Sequence, residues 1–168
     1  MAEDPDDSGT ELPSPARRGP VDDAVAGPFP DRPGRPTFAR LEVDASQEEP
    51  VVEVTLTIED RRLVGRATGP ATGDESARTA AIATLEAVRE LFQPGVHAEL
   101  GWLDIVDDPD GERPRYATSG VHCTGARGRQ TFLGSALASG DPRVAAVRAT
   151  LDALNRPLRI WYGETSTP

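Results

Sequence analysis

The residues that could carry chemistry in this chain are few. His97 and His122 are the only histidines, and Cys123 is the only cysteine. A zinc site needs several His, Cys or carboxylate ligands at suitable spacing, whereas His122 and Cys123 are neighbours in an alternating stretch and point to opposite faces of a strand. We therefore predict no metal site, a solvated His122 and a buried Cys123.

Nucleophilic catalysis is also not indicated. A reactive Cys123 would need a lowered pKa and a partner base, but the alternation places its thiol in the core beside Val121. Ser119 and Ser135 have no triad partners that the sequence supports. The segment Gly69–Gly73 lacks the Gly-Lys-Ser/Thr element of a phosphate-binding loop. We expect a protein that is not an enzyme, with no catalytic residue and no cofactor.

The charge balance bears on the partners. The net charge is −10 with a pI near 4.7, and all 18 basic residues are Arg, dispersed among acids. Nucleic-acid binding requires clustered cations that neutralise phosphates, so we expect no nucleic-acid partner. An all-arginine basic set suggests a GC-rich coding genome, and we expect a bacterial protein.

The cysteine content and the hydropathy of the chain indicate the cellular compartment that we expect. A single cysteine forms no intrachain disulfide and does not indicate an oxidising compartment. The acidic start MAEDPDDSGT has no positively charged segment followed by an apolar one, and no apolar run approaches the roughly 20 residues that span a bilayer. We expect a cytoplasmic protein with no membrane partner.

Residues 1–36 differ in composition from the rest of the chain. They contain eight of the 16 prolines together with spread acidic residues. Proline disrupts helices, and the stretch has too few large apolar groups to offset its ordering entropy. We predict a disordered acidic tail that is a mere leader; the alternative is a tether or docking segment anchored by residues 25–29.

The first candidate unit, residues 37–95, follows the tail. Apolar residues alternate with polar ones over 52–58, which predicts a half-buried strand, and Leu63–Thr68 is predicted to return as a hairpin. A helix capped by Asp74 or Ser76 carries an apolar stripe from Ala77 to Phe92. A preceding strand is predicted at residues 39–43.

The second candidate unit, residues 96–157, repeats this order. Strands are predicted at 102–106, which we match to 39–43, and at 116–124 and 131–137. Asp141 is predicted to cap a helix with Pro142 in its first position, and Pro157 is predicted to stop it. The pentapeptides ATLEA (83–87) and ATLDA (149–153) and the glycines Gly65 and Gly134 occupy matching places.

Agreement of strands, glycines and caps predicts an internal duplication. The fold class is therefore α+β, with two consecutive βββα units, antiparallel sheets and both helices on one layer. A unit of about 55 residues is marginal alone, so we expect either that the two units share one core or that the sheets of two chains complete each other. Residues 158–168 form a C-terminal extension.

Two segments resemble a known family. GPATGDESA (69–77) and LGSALASGDPRVAAVRATLDALNR (133–156) are similar to the C-terminal allosteric domain of 2-isopropylmalate synthase and citramalate synthase, over roughly residues 38–156 and without the catalytic barrel. That domain binds leucine or isoleucine between its two units and dimerises. The effector-contacting residues that the resemblance implies are Gly69, Pro70, Ala71, Thr72, Gly134, Ser135, Ala136 and Asp141, with Asp141 or Asp74 receiving an α-ammonium group.

The C-terminal segment 159–163 concentrates one of the two Trp and one of the two Tyr residues. It forms either a short extra strand or an interface in which Trp161 and Tyr162 are anchors. We expect a non-catalytic interaction or scaffold protein on this allosteric-domain-like fold, self-associating as a homodimer through open strand edges. The alternative is a stand-alone regulatory or sensor module that binds a small leucine-like effector.

Overall fold

The computed structural model describes residues 34–107 and 114–161 of the chain. The predicted tail lies outside this range except for residues 34–36, and Tyr162 and the rest of the predicted extension also lie outside it. The described residues belong to one unit of the chain, Asp31–Pro168.

Six strands and two long helices follow one another in two equal series. The first series is β1 (Thr37–Asp44), β2 (Val51–Ile58), β3 (Arg61–Thr68) and α1 (Gly73–Val88), with a short 3-10 helix at Arg89–Leu91. The second series is β4 (His97–Val106), β5 (Tyr116–Gly125), β6 (Gly128–Leu137) and α2 (Pro142–Trp161). Each set of three strands is an antiparallel sheet in sequence order. The predicted α+β fold of two βββα units is confirmed.

The matching glycines and pentapeptides meet in space. Gly65 lies under the turn of α1 that contains Ala83 and Ala87, so closely that an added Cβ would overlap the backbone of both alanines. Gly134 has the same relation to Ala149 and Ala153 of α2. Each pentapeptide is therefore the helix turn that packs directly on the third strand of its unit. Only glycine allows this close approach of strand and helix backbones.

The first strand of each unit carries an irregularity at the same point. The pairing with the second strand shifts between Phe38 and Arg40 in β1, and between Leu100 and Trp102 in β4. Val54 and Ser119 are equivalent, because they pair with Gly65 and Gly134. Leu41 and Leu103 pair with these two residues. Our sequence-based match of 102–106 to 39–43 is therefore wrong by one residue.

Several predicted boundaries also differ from the structure. β4 begins at His97 instead of residue 102, and β6 begins at Gly128 instead of residue 131. The strand continues through Gly101 because the β-bulge absorbs this residue.

The helix ends differ too. The N-cap of α1 is Thr72 without a side-chain cap hydrogen bond, so the predicted caps Asp74 and Ser76 are wrong. They lie in the first turn because α1 starts three residues before the position equivalent to Pro142. Pro157 lies inside α2, which runs to Trp161, so the predicted stop is wrong and the predicted extra strand does not form at 159–161. Burial of Pro157 and Leu158 offsets the backbone hydrogen bond that proline removes.

The two units share one core within a single chain. The largest buried cluster contains Leu56 and Val88 from the first unit and Val121 and Leu154 from the second. Each helix packs on its own sheet, on the other helix and on the first strand of the other unit. Of the two assemblies that the sequence left open, the structure has the one in which both units of one chain complete a common core.

Candidate functional site

The first predicted effector segment is packed on helix α1. Gly69 donates its N–H to the Pro50 carbonyl at 3.0 Å, and a Cβ at this position would overlap the Thr79 side chain. Pro70 and Ala71 follow, and Thr72 is the N-cap of α1. The sequence thus placed this segment correctly as the loop between a third strand and a helix.

The second predicted effector segment, Gly134, Ser135 and Ala136, is part of strand β6 and not of a loop. Gly134 is covered by α2, and Ala136 packs against a buried alanine cluster. Ser135 is exposed, and its backbone N–H donates to the Asp152 carboxylate at 3.1 Å. Helix α2 therefore already contacts this segment through Ala149, Asp152 and Ala153.

Asp141 begins helix α2 as predicted. Its carboxylate accepts the backbone N–H of Arg143 at 2.9 Å, which is the N-cap hydrogen bond. The Arg143 guanidinium also donates to both Asp141 oxygens, at 2.7 to 3.0 Å. A further Arg143 N–H points to the Ala71 carbonyl at 3.5 Å. Arg143 thus brings two of the predicted site residues, Ala71 and Asp141, into one cluster.

The electrostatics of this cluster are set by the ion pair. Hydrogen bonds from Arg143 hold the pKa of Asp141 below its ordinary value, against the opposing effect of burial. The same contact raises the pKa of Arg143. A ligand ammonium group at Asp141 would have to displace the guanidinium. Effector binding at these two segments stays a prediction.

The Asp141 cluster gives a test by pH. We expect Asp141→Asn, which keeps an N-cap acceptor and loses the charge, to cost less than about 1 kcal/mol at pH 7, because the ion pair is partly exposed. Asp141→Ala removes both and should cost about 1 kcal/mol or more. Because the folded-state pKa is lowered, the charge stabilises the protein above the ordinary value of 3.8 and stops doing so as the pH falls through the folded value.

Urea unfolding at pH 7 and at about pH 3 measures this effect. The difference between wild type and Asp141→Asn should shrink at the lower pH. A difference that is the same at both values would contradict the assigned ion pair.

An apolar cavity lies elsewhere in the described chain, beside Pro36, Ile58, Leu91 and Leu158. Its volume of about 20 Å³ is enough for a single water molecule. The cavity is too small for an amino acid, so we do not assign a ligand to it.

Cys123 and His122 lie on opposite faces of β5, as predicted. The Cys123 side chain is fully buried in the main core, and burial raises the pKa of its thiol to about 12. His122 points to the other face, where its Nδ1 is 2.9 Å from the Thr131 hydroxyl. Within residues 34–107 and 114–161, no three His, Cys, Asp or Glu residues are grouped so that they could hold a metal ion.

The second sheet has an apolar outer face, by which we mean the face opposite α2. Ala117, Ser119, Val121 and Cys123 of β5 are buried, and Ser119 contacts Thr150 of α2. Side chains alternate along a strand, so the intervening residues point outward. With their partners across the sheet they form the outer face: Glu99, Trp102, Asp104, Val106, Tyr116, Thr118, Gly120, His122, Thr131, Leu133, Ser135 and Leu137.

Large apolar side chains on this face are open to solvent. Leu133 is 68% exposed, Leu137 is 61% exposed and Trp102 is 38% exposed. Trp102 covers Gly120, where an added Cβ would overlap the indole ring. The indole also meets the His122 ring edge-on, with the ring centroids 6.0 Å apart. The aromatic ring is thus held flat over the middle strand, beside Leu133.

The corresponding face of the first sheet has different chemistry. Its residues at the equivalent positions are Thr37, Arg40, Glu42, Asp44, Val51, Glu53, Thr55, Thr57, Arg62, Val64, Arg66 and Thr68. Six of these are charged, against Glu99 and Asp104 among the twelve outer-face residues of the second sheet. Trp102 replaces Arg40, Leu133 replaces Val64 and Leu137 replaces Thr68. The two copies have therefore diverged most clearly on the side away from the helices.

Sequence reasoning missed this face. Leu133 and Leu137 have the period of 2 that marks one side of a strand, but Phe132 and Ala136 also made the opposite side apolar. Trp102 was assigned to a strand in a register that ignored the bulge at Gly101. The informative comparison, outward residues of one unit against those of the other, required the correct register. The predicted anchor Trp161 ends α2, and Tyr162 lies beyond the described residues.

Among the helices that the structure describes, none has the length and the apolar character to cross a membrane. No protein-family model and no curated protein shows a significant match to this chain.

Proposed function

We propose that this chain is a non-catalytic interaction protein that acts by associating with a second copy of itself. The observation that carries this proposal is the outer face of the second sheet, with Leu133 and Leu137 more than half exposed beside Trp102. Contiguous exposed apolar surface is a property of interaction sites. Tryptophan is also among the residues that contribute most to protein interfaces.

The state of the reactive side chains favours binding over catalysis. The Cys123 thiol is buried and its pKa is raised to about 12, so it is not a thiolate at neutral pH. The carboxylate of Asp141 is paired with Arg143. The imidazole of His122 lies between Trp102 and the Thr131 hydroxyl. Each of these three groups is therefore either buried in the core or engaged with a neighbouring side chain.

The charge of the chain favours a contact at a neutral surface. Two copies with a net charge of −10 repel each other, and this repulsion opposes association wherever like charges meet. The outer face of the second sheet carries two carboxylates, at Asp104 and Glu99, and Glu99 is paired with Arg129, so two copies can meet there with less repulsion than at the charged face of the first sheet. Salt screens the repulsion between the remaining charges.

We expect the full-length protein to associate reversibly in the micromolar range, as weak interfaces do. Sedimentation velocity at concentrations from about 1 to about 300 µM should show the average mass rising from one chain toward two. Raising the salt from about 0.05 to about 0.5 M should strengthen association, because the repulsion is screened. A single-chain mass throughout this range would contradict the proposal.

A further inference from the structure

We infer that self-association packs the outer face of the second sheet against the same face of a second copy, so that β4, β5 and β6 of two chains form a sandwich. This inference rests on the proposed self-association and adds the surface and the geometry of the contact. Sheets in protein sandwiches pack face to face about 10 Å apart, with their side chains interdigitated.

The register of the sheet gives the face two apolar rows. Trp102, Gly120 and Leu133 lie opposite one another on the three strands, and Val106, Tyr116 and Leu137 form a second apolar row. Between these rows lies a polar one of Asp104, Thr118 and Ser135. Two apolar rows with a narrow polar row of one carboxylate and two hydroxyl side chains between them suit contact with another protein surface, where a few large apolar groups dominate.

Charges at the two ends of the face are paired within the chain. Glu99, opposite His122, contacts Arg129 at 2.8 Å, and Asp107 contacts Arg115 at 2.6 Å beyond the Tyr116 row. A partner of opposite charge therefore finds no free cluster of charges to recognise here. A second copy presents the same pattern of apolar rows, which can pack on themselves as a twofold contact requires.

Pairing through the edge of β6 is less favourable than pairing through this face. Strand β6 is an edge strand of its sheet. The Ser135 N–H at this edge is bonded to the Asp152 carboxylate, which blocks a backbone position that an added strand would use. An edge-strand dimer formed through β6 would have to break this contact. Face-to-face packing leaves it intact.

The size of the face predicts a weak contact. Strands of ten residues rise about 3.3 Å per residue and lie about 4.8 Å apart, so three of them cover roughly 400 to 500 Å². A standard stable interface buries about 800 Å² on each partner. The association should therefore be concentration-dependent, with its strength concentrated at Trp102 and Leu133.

The test compares Leu133→Glu with Val64→Glu in the full chain. These positions are equivalent in the two sheets, and both are exposed, at 68% and 42%. We expect Leu133→Glu to weaken self-association at least tenfold and Val64→Glu to change it less than twofold, measured by sedimentation velocity. Thermal unfolding checks that both variants remain folded, and Leu137→Glu should weaken association like Leu133→Glu.

The outcomes test the proposed contact surface and the proposed self-association separately. If the wild type associates and Leu133→Glu associates equally well, the proposed surface is wrong and self-association stands. Equal weakening by Val64→Glu would also overturn the surface. A wild type that stays monomeric would overturn both. If, in addition, Leu133→Glu altered hydrogen exchange in residues 1–33, that segment and not a second copy would be the occupant.

Discussion

Replacing Gly134 with alanine should destabilise the protein by at least about 3 kcal/mol, at the upper end of what overpacking costs. The new Cβ would overlap the carbonyl of Ala149 and the backbone of Ala153. A flexible side chain could move aside, but these atoms belong to the hydrogen-bonded backbone of α2. The helix would have to shift away from β6, which would disturb the buried residues on both sides of this contact.

Urea unfolding of the variant and of two companions measures this effect. Gly65→Ala introduces the same overlap in the first unit, with Ala83 and Ala87, and should cost a similar amount. Gly140→Ala is the matched control, since an added Cβ there meets no atom within 4 Å. It should be neutral or should stabilise by up to about 1 kcal/mol, through the unfolded state. A similar midpoint for all three variants would show that the helices do not approach the strands as described.

The fold could be predicted because the duplication made each local signal appear twice. Alternating residues marked β2 and β5, and Gly65 and Gly134 matched the third strands of the two units. One occurrence of ATLEA would have indicated only an alanine-rich helix. The second occurrence, again after a matching strand and glycine although the connecting loop is shorter, tied helix, strand and loop together into a repeating unit.

Boundaries were less predictable because tertiary packing decides them. Pro157 is a helix-breaking residue by its own chemistry, yet α2 continues because Leu154 and Leu158 on either side are buried. The bulges in β1 and β4 are set by pairing with the middle strands. A glycine at 101 hinted at one of them, but Ala39 gave no comparable signal for the other. These features depend on contacts between segments distant in sequence.

The candidate site, like the fold, was predicted only in part from the sequence. The resemblance to an allosteric domain named segments 69–72 and 134–136 with Asp141, and the structure joins Ala71 to Asp141 through Arg143. Arg143 was not predicted, because its role depends on the approach of the first loop to the start of α2. The apolar outer face was not predicted either, since only the strand register shows which side Trp102 occupies.

The two units also differ inside the core, at one equivalent pair of positions. In the second unit the hydroxyls of Ser119 and Thr150 lie 3.2 Å apart, and both residues are buried. In the first unit the equivalents are Val54 and Thr84, and the Thr84 hydroxyl donates to the Ala80 carbonyl four residues earlier at 2.8 Å. A buried threonine in this fold can thus be satisfied by its own helix, without a hydroxyl on the facing strand.

Giving each unit the strand residue of the other, Val54→Ser or Ser119→Val, should therefore change the stability by unequal amounts. Val54→Ser should cost about 3 kcal/mol, because it removes a fully buried apolar side chain and buries a hydroxyl in its place. Ser119→Val should cost less than about 1 kcal/mol, since Thr150 can donate to the carbonyl of Ala146 as Thr84 does to Ala80, and the valine adds apolar burial.

Urea unfolding of both variants and of the double variant tests whether the Ser119–Thr150 contact is needed for stability. If the Ser119–Thr150 contact were needed for stability, Ser119→Val would be the more damaging change, because one buried hydroxyl would lose its partner. Val54→Ser would then cost little, as the new serine could pair with Thr84. The structure favours a larger cost for Val54→Ser than for Ser119→Val, because the Thr84 hydroxyl already has a carbonyl acceptor and gains little from a second partner. The polar pair in the second unit is, by this argument, a tolerated difference between the copies and not a source of their stability.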